Sequence, residues 1–159
     1  MKKVILTLVL LISTSLVTSQ EVENSLVNIN WESTYTNALA KAAKENKPLL
    51  IYFTGSDWCG PCIRLDKELF HTLKFKEYAD KNLILYMANF PRNKDLVTNA
   101  ARIENEKLKN KYKNSFPMVL VIDKNEKTLG EKRGTYLTDY YYPFFETVVN
   151  KYYKKNPKY

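Results

Sequence analysis

Cysteine and histidine are scarce in this chain, with two cysteines and one histidine among 159 residues. Two cysteines cannot build the multi-bridge framework that holds many small exported domains together. A structural zinc site needs four ligands, and Cys59, Cys62 and His71 supply three at most. His71 is therefore expected to be a surface or partly packed helix residue, with no metal bound. Long apolar runs are also few. Beyond the N-terminus, no stretch approaches the roughly 20 apolar residues needed to span a bilayer. Internal repeats and low-complexity linkers are missing, and only the tail, residues 154–159, reads as loose.

What remains is ordinary globular chemistry: 45% apolar and 26% charged residues, with 12 tyrosines. The length suits one domain and not two. The formal charge is +8. Lysines are spread along the chain, often on one side of predicted helices, which fits a solvated basic surface. No nucleic-acid partner is expected.

The first 19 residues read as a targeting segment. Lys2 and Lys3 precede an apolar stretch containing Leu8, Val9, Leu10, Leu11 and Ile12, and Val17-Thr18-Ser19 offers a cleavage site. The expected organisation is a signal peptide over residues 1–19 and one domain over residues 20–159. Cleavage would remove two lysines and no acidic residue. An uncleaved anchor is the competing reading, but roughly 14 apolar residues is short for a span. No cysteine lies near the cut, which argues against a lipid anchor. The protein is expected to be exported, periplasmic or extracellular, and bacterial.

Apolar patterning predicts the element order. Residues 31–46 read as a helix capped by Asn30, with Ala38, Leu39, Ala42 and Ala43 on its apolar stripe and Lys47-Pro48 at its stop. Leu49 to Phe53 is a strand buried on both faces. A turn leads through Trp58-Cys59-Gly60-Pro61-Cys62 into a second helix running to about Lys81, with a break near His71-Thr72. Residues 83–89 form a second strand. A charged helix over residues 95–112 carries Leu96, Ala100, Ile103 and Leu108. Two hairpin strands follow, at residues 118–122 and 128–133. A last helix opens at Thr138 or Asp139 and presents Tyr141, Phe144, Phe145, Val148, Val149 and Tyr152. The predicted class is α/β, a mixed sheet flanked by helices.

The two cysteines sit three positions apart. A bridge between them closes a tiny loop and removes little chain entropy, so stability is a weak reason for the pair. Chemistry is the stronger one. Thiolates attack disulfides, and a strand–turn–helix junction stabilises a thiolate through free N–H groups and the helix dipole. Cys59 lies at that junction, and Cys62 lies one turn inside, close enough to bridge it. Pro61 is tolerated in the first helical turn, and Gly60 leaves the approach to the sulfur open. Cys59 is thus the expected attacker and Cys62 the shielded resolver.

Trp58-Cys59-Gly60-Pro61-Cys62 after an apolar strand resembles the active-site signature of the thioredoxin superfamily. Phe116-Pro117 ahead of a strand resembles that family's cis-proline loop. The segments around Phe53–Cys59, Phe75–Ala79, Asn89–Arg92 and Lys111-Tyr112 resemble an exported bacterial thioredoxin-like branch. The resemblance runs from about Asn30 to about Tyr136. It implies a thioredoxin fold with catalytic Cys59 and Cys62, supported by Trp58, Gly60 and Pro61. It implies a cis Pro117 against the cysteine pair. Phe116 would pair its backbone with an extended substrate, and Trp58 would shape the docking surface. The departures are specific. The buried acid that thioredoxins carry before the motif is missing, because Tyr52 or Phe53 stands there. Asp57 is acidic but lies in the turn. The motif helix lacks the family's proline, Met118 follows Pro117 where threonine is common, and the loop before Phe116 is one residue short.

Three functions compete. The first is a thiol–disulfide reductase acting on extracytoplasmic proteins. The second is an oxidase or isomerase. The third is a peptide-binding module with incidental cysteines. The resemblance favours the first: Gly60-Pro61 is the dipeptide of reducing thioredoxins, and the long helical insertion of periplasmic oxidases is missing. It implies disulfide-containing protein substrates and a membrane-embedded thiol transporter as electron donor. A monomer is expected, with no cofactor beyond the Cys59–Cys62 pair.

Overall fold

A computed structural model describes residues 27–157. The expected signal segment lies outside the described residues. Five strands form one sheet in the order β1-β3-β2-β4-β5. These are β1 (Trp31–Glu32), β2 (Leu49–Thr54), β3 (Ile84–Asn89), β4 (Met118–Ile122) and β5 (Thr128–Arg133). β1 and β2 run parallel to β3, while β4 runs antiparallel to both β2 and β5. The sheet is mixed, as the alternation of elements predicts.

Helices cover both faces, so the central strands are apolar along most of their length, with buried Thr54 and Asn89 at the ends of β2 and β3. On one face Leu50, Tyr52, Leu85, Val119 and Val121 meet Cys62, Leu65, Phe70, Phe75 and Phe145. These come from α2 (Gly60–Leu65), a π-turn (Asp66–Phe70), α3 (Leu73–Asn82) and α5 (Tyr141–Lys155). On the other face Leu49, Ile51, Phe53, Tyr86 and Leu120 meet Ala38, Ala42 and Leu108. Those belong to α1 (Tyr35–Glu45) and α4 (Asn99–Tyr112). Each large side chain buried in these layers contributes roughly 1.5–3 kcal/mol.

Several boundaries differ from the sequence expectation. Trp31 and Glu32 form an edge strand against Leu85 and Tyr86 rather than a first helical turn. The helix begins later because Thr34, not Asn30, caps it by accepting the Asn37 N–H at 3.1 Å. Asn30 instead reaches the Asp80 carboxylate. The helix expected from residue 95 is split: a single 3₁₀ turn (Lys94–Leu96) precedes α4, whose cap is Thr98. The buried face of α4 is Ala101, Asn105 and Leu108, while Leu96, Ala100 and Ile103 are exposed. Ala43 is exposed as well. The break near His71-Thr72 is present, with Thr72 capping α3 through the Phe75 N–H at 3.2 Å. α5 continues to Lys155, into the segment expected to be loose.

Candidate active site

β2 ends at Thr54, and the chain turns through Gly55, Ser56 and Asp57 to reach Trp58 and Cys59. The turn closes on itself: the Gly55 carbonyl accepts the N–H of Trp58 at 3.2 Å and of Cys59 at 2.8 Å. Cys59 is the N-cap of α2, and its carbonyl accepts the Ile63 N–H at 3.0 Å. Pro61 sits in the first turn, where its missing N–H costs nothing. Cys59 and Cys62 form a disulfide with their Cα atoms 5.2 Å apart. Cys59 keeps 6% of its exposure and Cys62 none. Any incoming group therefore meets Cys59 first. A Cβ at Gly60 would touch nothing within 4 Å, so the space above the bridge is open there.

The Phe116–Pro117 peptide bond is cis, as the resemblance implies. β4 pairing starts at Met118, opposite Phe53 and Arg133, so Phe116 lies just outside the ladder. The Phe116 ring packs edge-on against Trp58 at 5.3 Å and against Phe90 at 5.4 Å. This sets the Phe116 ring against Trp58, the residue before Cys59. Arg133 of β5 fixes the approach to the loop by donating to the Lys113 carbonyl at 2.7 Å and the Tyr112 carbonyl at 3.0 Å. Trp58 is 38% exposed and donates its indole N–H to the Phe90 carbonyl at 2.7 Å. Beside it runs a groove of about 330 Å³, lined by Phe90, Pro91, Val97, Arg102, Lys109 and Phe116 among others.

Sequence reasoning missed the residues that hold this turn in place. Gly55 is one: a Cβ there would lie 2.3 Å from the Trp58 ring. Asp57 is another, because its carboxylate accepts the N–H of Arg92 at 2.9 Å and of Asn93 at 2.8 Å. Those backbone donors, Asn93 foremost, hold the Asp57 carboxyl below the usual carboxylate range. A buried chain of amides ties the turn to α4. Asn89 accepts the Ser56 N–H at 3.1 Å and donates to Ser56 Oγ at 2.8 Å. Asn105 donates to the Asn89 carbonyl at 2.9 Å and accepts from the Tyr86 hydroxyl at 2.6 Å. Asparagines in apolar surroundings are the only sequence signal for this network.

Tyr52, rather than Phe53, faces the cysteines. Its hydroxyl donates to the Cys62 carbonyl at 2.9 Å, and burial pushes its pKa up, so it stays protonated. His71 lies 3.2 Å from both the Asp66 carboxylate and the Asp66 backbone carbonyl. Among the described residues, no group of three or more His, Cys, Asp or Glu could hold a metal ion.

The sheet order, the helix-capping disulfide and the cis-proline place the molecule in the thioredoxin fold class. A thioredoxin-like family model matches residues 30–124, and the chain belongs to that family. Disulfide bond reductase DsbH of Chlamydia pneumoniae is 36% identical over 103 residues, covering 64% of this chain and 61% of its own length. Thioredoxin-related protein DsbJ of the same organism is 31% identical over 138 residues, covering 82% of this chain and 39% of its own length. The chain thus spans only part of these two curated relatives. The solved structure of a DsbH oxidoreductase matches with a TM-score of 0.70 at 29% identity, covering 77% of this chain and 85% of that one.

Proposed function

We propose that this protein is a thiol–disulfide oxidoreductase that reduces disulfides of extracytoplasmic proteins. The observation that carries the reading is the Cys59–Cys62 bridge on the cap of α2, with Cys59 reachable and Cys62 sealed. In the reduced protein the Cys59 thiolate attacks a substrate disulfide, and one substrate sulfur leaves as a thiolate. Cys62 then attacks the Cys59 sulfur of the mixed disulfide and expels the second. The substrate gains two electrons and two protons, and the enzyme is left with the bridge seen here.

Trp58, Phe116 and Pro117 form the docking surface for an extended substrate segment. Phe116 lies outside the β4 ladder and beside the groove, which suits strand-like pairing with such a segment. Direction is read from Gly60-Pro61, which places no cation between the sulfurs. A cation there would stabilise the thiolate and make the bridge more oxidising. The name of the DsbH relative, a disulfide bond reductase, supports the same direction. Export rests on the signal peptide expected over residues 1–19. An exported reductase needs electrons from across the membrane, so a membrane thiol transporter is the proposed donor. Among the described residues, no helix is long and apolar enough to cross a membrane.

Equilibration with glutathione tests the direction. A reductase holds its bridge at a potential below the glutathione couple and keeps it in an ordinary glutathione buffer. A bridge reduced almost completely in that buffer marks an oxidase.

A further inference from the structure

The resolving step needs a base. Cys62 is fully buried, and its thiol must lose a proton before the sulfur attacks. The strand that supplies an acid in thioredoxins supplies Tyr52 here, a protonated donor already engaged with the Cys62 carbonyl. Asp66 follows Cys62 by one helical turn on the same face, where side chains lie roughly 5–6 Å apart at Cβ. Its N–H donates to the Cys62 carbonyl, the same oxygen that Tyr52 engages.

The two oxygens of this carboxyl differ. Oδ1 is buried with no hydrogen-bond partner among the described residues. Oδ2 lies 3.2 Å from His71 Nδ1, on a side chain that keeps 32% of its exposure. Backbone geometry creates the second contact. The Asp66–Phe70 segment is a π-turn, closed by the His71 N–H on the Asp66 carbonyl at 2.9 Å. Regular α-helix would return Phe70 over Asp66, whereas the extra residue returns His71. Turns of this kind recur at functional sites.

We propose that Asp66, positioned by His71, accepts the Cys62 proton when Cys62 closes the disulfide. Cys62 attacks the Cys59 sulfur, the Cys59–substrate S–S bond breaks, and the substrate thiolate departs with the electron pair. The Cys62 proton passes to Asp66 and leaves by the exposed Oδ2 side, to solvent or to the departing thiolate. The inference rests on the exchange chemistry proposed for the pair, in whichever direction it runs.

The titratable groups facing Asp66 are His71 across the π-turn and Tyr52 from β2, with Tyr141 of α5 behind Tyr52. Burial raises the Asp66 carboxyl above the usual carboxylate range, and His71 opposes that rise. A raised acid stabilises the fold below the unfolded carboxylate range and loses that contribution as pH rises through its folded value. At neutral pH the ionised carboxylate therefore burdens the fold. An Asp66→Asn variant should be at least as stable as the wild type there, while resolving more slowly. That combination separates a proton acceptor from a merely structural ion pair.

The test uses reduced protein and an aromatic disulfide that releases a coloured thiolate at each attack. The first release reports Cys59, and the second reports Cys62. Asp66→Asn should slow the second release by about 10- to 100-fold at neutral pH. The deficit should shrink at alkaline pH, and the first release should change by no more than about twofold. Asp66→Glu should retain most of the rate. His71→Gln, a second and milder change, should move the pH midpoint of the second release upward. A second release in Asp66→Asn with the wild-type rate and pH profile would overturn the proposal, as would equal slowing of both releases. A wild-type protein that released no thiolate at all would overturn the exchange reading, and this inference with it.

Discussion

The two sides of the Cys59–Cys62 bridge are built differently. On the outer side, the polar groups of the turn before Cys59 have partners: Trp58 on the Phe90 carbonyl, Asp57 on two backbone N–H groups, Ser56 on Asn89. Only the loop before Phe116, at Asn114 Nδ2 and Ser115 Oγ, holds buried polar atoms there without a partner among the described residues. On the inner side, Cys62 is fully buried, its carbonyl accepts from the Tyr52 hydroxyl, and one turn on lies a carboxyl oxygen with no hydrogen-bond partner among the described residues. A satisfied network holds geometry, whereas a buried carboxyl oxygen without a partner is costly to keep ionised. The proposed docking lies on the outer side and the proposed proton handling on the inner side.

The contrast breaks most completely at the sulfurs. Cys59→Ser should abolish turnover while leaving peptide binding measurable by calorimetry, because the docking rings remain. Asn105 comes next. It is 1% exposed and engages both Asn89 and Tyr86, so Asn105→Leu leaves two buried groups without partners. The expected loss is about 2–4 kcal/mol, read by denaturant unfolding, and weaker docking should accompany it.

Gly55→Ala sharpens the comparison by touching the outer side alone. The new methyl would overlap the Trp58 ring. The expected cost is about 1–3 kcal/mol, with a shift in Trp58 fluorescence and unchanged resolution by Cys62. Asp57→Asn should have the smallest effect. The Asp57 carboxyl is held low, so its contribution is present above the unfolded carboxylate range and lost as pH falls through its folded value. Wild type and Asp57→Asn should differ slightly in thermal stability at neutral pH and converge in strong acid.

Legibility in the sequence follows the same division. The Cys59-Gly60-Pro61-Cys62 motif is a local feature that could be read directly, and the cis Phe116–Pro117 bond was implied by the family resemblance. β2, β3 and β4 were legible as apolar runs because helices cover both faces of the sheet. Trp31–Glu32 was not, since a two-residue strand has no period and its register is set by pairing with the distant β3. The start of α4 was obscured because the apolar Leu96 lies before the Thr98 cap. Asn89 and Asn105 are 16 positions apart and meet only through the fold. The pairing of Asp66 with His71 was hidden because helical reasoning looks three or four residues ahead, and the π-turn moves the partner to five.

The central claim is that Cys59 faces outward to attack while Cys62 resolves from within. Trapping tests it directly: Cys62→Ser and Cys59→Ser proteins are each mixed with a disulfide-bonded peptide, and the adducts are mapped by mass spectrometry. The account predicts a stable mixed disulfide on Cys59 in Cys62→Ser and almost none in Cys59→Ser. Accumulation of adducts on Cys62 in the Cys59→Ser protein would contradict it.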